Sequence, residues 1–360
     1  MLIRKITFAA VLLLSLNGFS QLQIKPSDKS ITYMGRVKLA QDSACFYWPG
    51  TSAAINFKGS GISASLKSRN EVGYFYAIID NDAEHAFKFK SDTTKTTVSL
   101  ASGLSSGNHT LQLYKLSNNT SENIFYGFQI DGKSKINTPN KPLKRKIEFY
   151  GNSITAGHGV DVEKGGQDSG KPETFNNYYT YAALTARHYN AQYSCIARSG
   201  IGIMVSWFPE IMPEIYDRLN PMDPNSKWDF TQYTPDVVVV NLFQNDSWIV
   251  NMPKNEQFIS RFGTSKPTDE FTILAYQNFI SSIRIKYPNA HIICALGNMD
   301  ATKAGSKWPN YIKQAVERIN DTKIYSLIFP YKNTGAHPNK QEQQMMADDL
   351  IGFIDKNIKW

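Results

Sequence analysis

From about residue 30 to residue 131, apolar and polar positions alternate in short runs. Residues 31–39, 53–57, 62–66, 74–79, 86–89, 96–100, 109–116 and 125–130 are rich in β-branched and aromatic side chains. Turn formers separate them, among them Lys58-Gly59-Ser60-Gly61, Asp80-Asn81-Asp82 and Ser105-Ser106-Gly107-Asn108. A period of two with frequent turn signals predicts an antiparallel β-sandwich, because alternate side chains of each strand bury against a second sheet.

Residues 131–146 are polar and carry Gly132, Pro139 and Pro142, the texture of a linker or domain crossover. Beyond them the pattern changes. Residues 147–150, 237–242, 291–296 and 323–328 are apolar, strand-like runs, and 174–189, 271–286 and 340–358 have helical patterns. Nearly continuous β-branched strands alternating with helices predict a parallel sheet covered on both faces. The chain therefore reads as a β-sandwich over 21–140 followed by an α/β domain over 141–360.

The first 20 residues stand apart. Arg4 and Lys5 precede an apolar run over 6–16, and Gly18 and Ser20 follow it. This is the order of a secretory signal, with cleavage expected near Ser20 and Gln21. The run is short for a bilayer span, and no later segment is long and apolar enough to make one. The mature protein is thus expected outside the cytoplasm, in the periplasm or beyond, with no membrane attachment after cleavage.

Charge and cysteine content narrow the field further. Without Arg4 and Lys5 the chain keeps 37 basic and 31 acidic residues, too mild and scattered a balance for a nucleic-acid partner. The short cluster at 141–146 reads as a solvated linker. Cys45, Cys195 and Cys294 are far apart and lack metal-ligand spacing. Cys195 and Cys294 fall in strand-like runs and read as small buried residues rather than as a disulfide pair.

Candidate chemistry gathers at strand ends. Tyr150-Gly151-Asn152-Ser153 follows the first strand of the second domain. Ser199-Gly200-Ile201-Gly202 follows the next apparent strand, Asn245-Asp246 the most apolar one, and His337-Pro338-Asn339 precedes the last helix. In a parallel sheet such ends converge on one edge, where α/β folds build their sites. A serine, a glycine, an amide and an imidazole are thereby brought together.

These four motifs, in this order, resemble the SGNH (GDSL-type) hydrolases. With a β-sandwich ahead of the catalytic domain, the chain resembles carbohydrate esterase family 2 over essentially its whole mature length. The resemblance implies a jelly-roll-like sandwich and a flavodoxin-like α/β/α domain. It makes Ser153 the nucleophile and His337 the general base. The Ser153 N–H, Gly200 N–H and Asn245 side-chain amide become the oxyanion hole. It implies no cofactor and no metal. An imidazole near neutrality suits this work, since a serine hydroxyl attacks well only once a base takes its proton.

Three positions depart from the family pattern. Asn152 stands where an aspartate is usual beside the serine, and Phe243 where a glycine is usual before the asparagine. The aspartate commonly found two or three residues before the histidine is replaced by Gly335 and Thr334. A Ser153 and His337 dyad is therefore expected, with a backbone carbonyl near Thr334 or Gly335 accepting the second ring N–H.

Other residues have plainer readings. Asp246 is read as support for the loop presenting Asn245. His158 is read as surface or structural, and His85, His109, His188 and His291 lack partners at metal spacing. Trp48, Tyr178 and Tyr179 are assigned to the core. Trp207 and Trp248 follow the glycine and asparagine motifs and are candidate sugar-stacking walls. Function then divides into classes. One is removal of acetyl groups from a polysaccharide or oligosaccharide; another is hydrolysis of a different short acyl, feruloyl or aryl ester. The third is an inactive carbohydrate-binding protein.

Overall fold

The computed structural model describes residues 21–117, 122–163 and 165–360; the expected leader at 1–20 lies outside them. No helix among the described residues is long and apolar enough to cross a membrane.

The alternating runs form β1 (Leu22–Ile24), β2 (Thr32–Met34), β3 (Val37–Leu39), β4 (Ala44–Phe46), β5 (Ser52–Lys58), β6 (Gly61–Ser68), β7 (Gly73–Ile79), β8 (Phe87–Ser91), β9 (Thr96–Ala101), β10 (Asn108–Lys115), β11 (Asn123–Asp131) and β12 (Lys135–Ile136). One antiparallel sheet runs β3-β4-β11-β6-β9 with β1 beside β11. The other runs β12-β5-β10-β7-β8 with β2 beside β5. Their inner faces meet through Phe46, Phe57, Leu66, Phe75, Leu113 and Phe125, all fully buried. The single strand expected over 31–39 is two strands in different sheets, parted at Gly35 with φ +85°. The polar stretch before the second domain contributes β12, which pairs with β5.

The second domain comprises β13 (Arg145–Gly151), α1 (Ser153–Ala156), α2 (Tyr181–His188), β14 (Ala191–Ala197), α3 (Met212–Ile215), β15 (Val237–Asn241), α4 (Gln244–Ile249), α5 (Glu256–Phe262), α6 (Asp269–Lys286), β16 (His291–Leu296), α7 (Trp308–Ile319), β17 (Ile324–Ile328) and α8 (Lys340–Asn357). Its parallel sheet has the order β14-β13-β15-β16-β17, the flavodoxin-like arrangement. Val237 and Val239 pack under α2 and α8, and Val238 and Val240 under α6 and α7. Burial on both faces is why β15 is apolar at every position but the last. The helical pattern over 174–189 resolves into two 3₁₀ turns and a short α2, whose N-cap Thr180 accepts from Ala183 N–H. Cys195 on β14 and Cys294 on β16 are separated by two strands, so all three cysteines are free and buried.

The two domains are joined by polar anchors as well as packing. Fully buried Arg36 leaves the sandwich and donates to the carbonyls of Tyr216 and Arg218, at 2.6 and 2.9 Å. It also faces Glu148 of β13 at 3.4 Å. Glu148 accepts from Tyr150, Tyr287 and Ser194 as well, so no carboxylate oxygen is left bare. A buried charge pair costs desolvation, and such saturation is the condition for tolerating it.

Candidate active site

β13, β14 and β15 flank the point where the strand order reverses, and each delivers one residue to the same edge. After β13, Asn152 caps the four-residue α1 by accepting from Ile154 N–H at 3.0 Å, which turns Ser153 to the mouth of the sheet. Ser153 is 5% exposed. His337 reaches it from the other end of the chain. Ala336, at φ +59°, makes a tight turn, and Asn339 three residues later caps α8 in a reciprocal capping box with Glu342. The ring is thus carried by the start of a rigid helix.

The Ser153 hydroxyl lies 2.8 Å from His337 Nε2. Nδ1 of the same ring lies 2.6 Å from Asp168 Oδ2, which also accepts the His337 backbone N–H at 2.8 Å. With its proton held at Nδ1 by this carboxylate, the ring keeps Nε2 as an acceptor for the serine proton. The expected dyad is therefore corrected: a carboxylate completes the line, and it comes from the loop between α1 and α2. The carbonyls of Thr334 and Gly335 are not turned to the ring. Lys332, its side chain 3% exposed, donates to both at 3.0 and 2.7 Å and holds that loop for itself.

Burial pushes the Asp168 carboxyl upward, but the hydrogen bonds and charge of His337 outweigh it and hold the group below the ordinary aspartate value. His158, read as surface or structural, is partly buried beside the base. Its ring stacks on His337 with centroids 4.1 Å apart, and burial followed by the neighbouring His337 pushes it down to about 4.

Gly200 and Asn245 follow the ends of β14 and β15, the two strands that flank β13 in the sheet. Gly200 has φ +84°, and an added Cβ would press within 3.2 Å of Phe208. Asn245 has a fixed orientation: Oδ1 accepts from Trp207 Nε1 at 3.0 Å, and Nδ2 donates one hydrogen to Ile201 O at 2.8 Å. Its second amide hydrogen stays free of these two bonds. Asp246 is wholly buried and accepts the N–H groups of Ile203, Met204 and Val205. Burial raises its carboxyl to about 6 while those three bonds pull it down. Asp246 thus supports the loop beside Asn245.

Phe243, in the position where the resemblance has glycine, adopts φ +81°, the left-handed conformation glycine takes freely. Its ring is buried against Tyr276 and Trp308 at 4.8 and 5.0 Å, which holds the backbone there. Trp207 is 44% exposed and its edge lies beside Gly200. Trp248, on the helix of Asn245, is tied through Nε1 to Asp300 at 3.1 Å. Trp48 and Tyr178 are buried as core residues.

A cavity of about 730 Å³ opens on the Asp168 side of His337, lined in part by Asp168, Lys332, Glu342 and Asp349. Nitrogen and oxygen atoms of His158, Asp168 and His337 lie within 4.8 Å of one another. Both ring nitrogens of His337 are already engaged, by Asp168 and Ser153. Zinc ligands must instead converge at about 2 Å from one point.

Asp168 was not visible as a site residue in the sequence. It sits in a polar, glycine-containing loop with no periodicity, and its bond to His337 spans 169 positions. The nearest sequence signal is Gly159, at φ +70°, where any Cβ would strike Asp168 Oδ1 at 2.6 Å.

Comparison with known proteins points one way. The carbohydrate esterase 2 N-terminal family matches residues 33–139. The cellulase/esterase CelE of Acetivibrio thermocellus is 36% identical over 87% of this chain, and the chain spans 38% of that protein's length. An acetylxylan esterase / glucomannan deacetylase of Cellvibrio japonicus is 25% identical over 94% of this chain and 91% of its own. The solved structure of a family two carbohydrate esterase from Clostridium thermocellum, in complex with cellohexaose, superposes with a TM-score of 0.78. It is 34% identical and covers 91% of this chain and 98% of its own.

Proposed function

Because the chain belongs to carbohydrate esterase family 2, we propose that it removes acetyl groups from a polysaccharide or oligosaccharide through a Ser153, His337 and Asp168 triad. The observation that carries this reading is the unbroken line from the serine hydroxyl through the ring to the carboxylate, at 2.8 and 2.6 Å.

The steps follow from the chemistry of the groups. Ser153 Oγ attacks the acetyl carbonyl carbon while His337 Nε2 takes its proton. Negative charge gathers on the carbonyl oxygen, facing the Ser153 and Gly200 N–H groups and the second Asn245 amide hydrogen. Each such donor contributes on the order of 3 kcal/mol. Collapse expels the sugar alkoxide, which takes the proton from His337, and leaves acetyl-Ser153. Water then attacks that ester with His337 again as base, releasing acetate and restoring the serine. Asp168 faces Nδ1 throughout and stabilises the imidazolium formed in each half.

Trp207 and Trp248 offer aromatic surface beside the oxyanion side for a sugar ring. An acetylated polymer as substrate, and export to reach it, agree with the family of the chain and with the leader expected at 1–20. The test is hydrolysis of 4-nitrophenyl acetate by the parent and by Ser153→Ala, followed by acetate release from acetylated xylan and glucomannan. Activity that disappears in the variant supports the reading. Equal rates overturn it, and preference for acyl chains of eight or more carbons overturns the deacetylase assignment.

A further inference from the structure

His158 presents a physical puzzle. Both of its ring nitrogens are buried, and neither has a hydrogen-bond partner among the described residues. Two such orphaned atoms cost stability, and an apolar ring of the same shape would avoid that cost. The segment around it is nonetheless specialised to place it. Gly157 and Gly159 both have positive φ, at +95° and +70°. A Cβ on Gly157 would strike the Asn176 and Asn177 backbone at 2.8 Å, and one on Gly159 would press His337 Cβ at 3.2 Å. The His158 backbone N–H donates to Ser153 O at 3.0 Å. Its ring lies between Phe175, at 4.5 Å, and His337, at 4.1 Å and nearly parallel.

We propose that His158 is a positioning residue of the catalytic centre: its neutral ring, stacked on His337, holds the base in line with Ser153 and Asp168 and stabilises the imidazolium formed in each acyl transfer. The inference rests on the ester-hydrolase reading above. A cation is attracted to the face of a neutral π-system and repelled by a second cation. The titratable groups facing His158 are His337 and Asp168. A hydrogen bond donated to Asp168 would favour a charged His158 and set it against the imidazolium. In this structure Asp168 bonds His337 instead, and the Phe175 ring lies against His158 at 4.5 Å. Burial, with neither nitrogen partnered among the described residues, keeps the stacked ring uncharged.

The experiment compares the full chain with His158→Ala, His158→Phe and Ser153→Ala on 4-nitrophenyl acetate, recording kcat, KM, pH profile and melting temperature. Removing the stack in His158→Ala is expected to lower kcat about tenfold with KM within about twofold. His158→Phe keeps a neutral aromatic face and is expected to recover kcat to within about threefold of the parent. The acid limb of kcat/KM should follow one proton in the parent and in His158→Phe alike. A folded His158→Ala with parental kcat overturns the proposal. So does a folded His158→Phe as slow as His158→Ala, or a two-proton acid limb that becomes one-proton in His158→Phe. If His158→Ala does not fold, His158→Phe decides alone: parental kcat supports the stack and a tenfold loss overturns it. Failure of the esterase reading has its own signature, a parent no faster than Ser153→Ala, and it overturns this proposal too.

Discussion

Replacing Asp168 by asparagine separates the charge of this group from its shape. Oδ2 accepts both N–H groups of His337, while Oδ1 is buried without a partner among the described residues and faces Gly159. An asparagine placed with its oxygen at the Oδ2 position keeps both bonds and turns its NH₂ toward Gly159. The tautomer of His337 survives and only the negative charge is lost. Two unit charges about 4 Å apart attract by about 4 kcal/mol at an effective dielectric of about 20. The Asp168 side chain is 22% exposed, so solvent screening reduces this to about 2 kcal/mol. Asp168→Asn should therefore lose about 30-fold in kcat. KM on 4-nitrophenyl acetate should hold, and labelling of Ser153 by an organophosphonate should slow in parallel. Activity within threefold of the parent would refute the electrostatic role. A loss of about 10⁴-fold would refute the shape argument, since that magnitude signals a lost tautomer. The stability effect has a definite sign. Asp168 titrates below its ordinary value, so it stabilises the fold above its unfolded pKa of about 3.9 and loses that contribution as pH falls further.

Three further outcomes follow from the packing. Phe243→Gly relieves about 1–2 kcal/mol of left-handed strain but removes a fully buried ring worth about 3–5 kcal/mol. It should destabilise by about 2 kcal/mol in denaturant unfolding, and a variant as stable as the parent would contradict the packing argument. Arg36→Ala leaves Glu148 charged and uncompensated inside the protein and should cost about 3–5 kcal/mol, measured the same way; a loss under about 1 kcal/mol would refute it. Lys115 is fully buried between the Phe46 and Tyr47 carbonyls, and burial lowers its pKa to about 7. The unfolded chain then binds more protons than the folded one above pH 7, so stability should rise by about 1 kcal/mol per unit between pH 7 and about pH 9. Lys115→Met should abolish that slope, and its persistence in the variant would remove Lys115 as the cause.

What could be read in advance depended on how local the signal was. The apolar run of β15 and the apolar-polar alternation of β5, β7 and β10 announce burial on two faces or one, because the period is carried by neighbours in sequence. Ser153, Gly200, Asn245 and His337 stand next to such elements, so the sheet order alone brings them to one edge. β1, β4 and β12 are three residues or shorter and form through pairing with strands distant in sequence, β11 for the first two and β5 for the third. Nothing within them marks a strand. The helix α7 carries a readable stripe of Tyr311, Ile312, Ala315, Val316 and Ile319, but Pro309 near its start resembles a break until its place in the first turn is known. Asp168 had no local mark at all, and Lys332 decides its importance by occupying the carbonyls that the ring would otherwise face.

The loop that carries Asp168 is moored by Asp161. That carboxylate receives Lys88 Nζ from the sandwich at 2.7 Å, the Asn176 amide at 2.9 Å, and Lys340 Nζ at 3.3 Å from the first residue of α8. One side chain thereby ties a sandwich strand to the two segments that hold the acid and the base. The consequence is one of inheritance. A gene fragment encoding only the α/β half would carry all three triad residues and still lose one of the moorings that keep them aligned. Recombination can move these two halves into new proteins together, but a lineage that split them would have to rebuild the seam before selection could act on the chemistry.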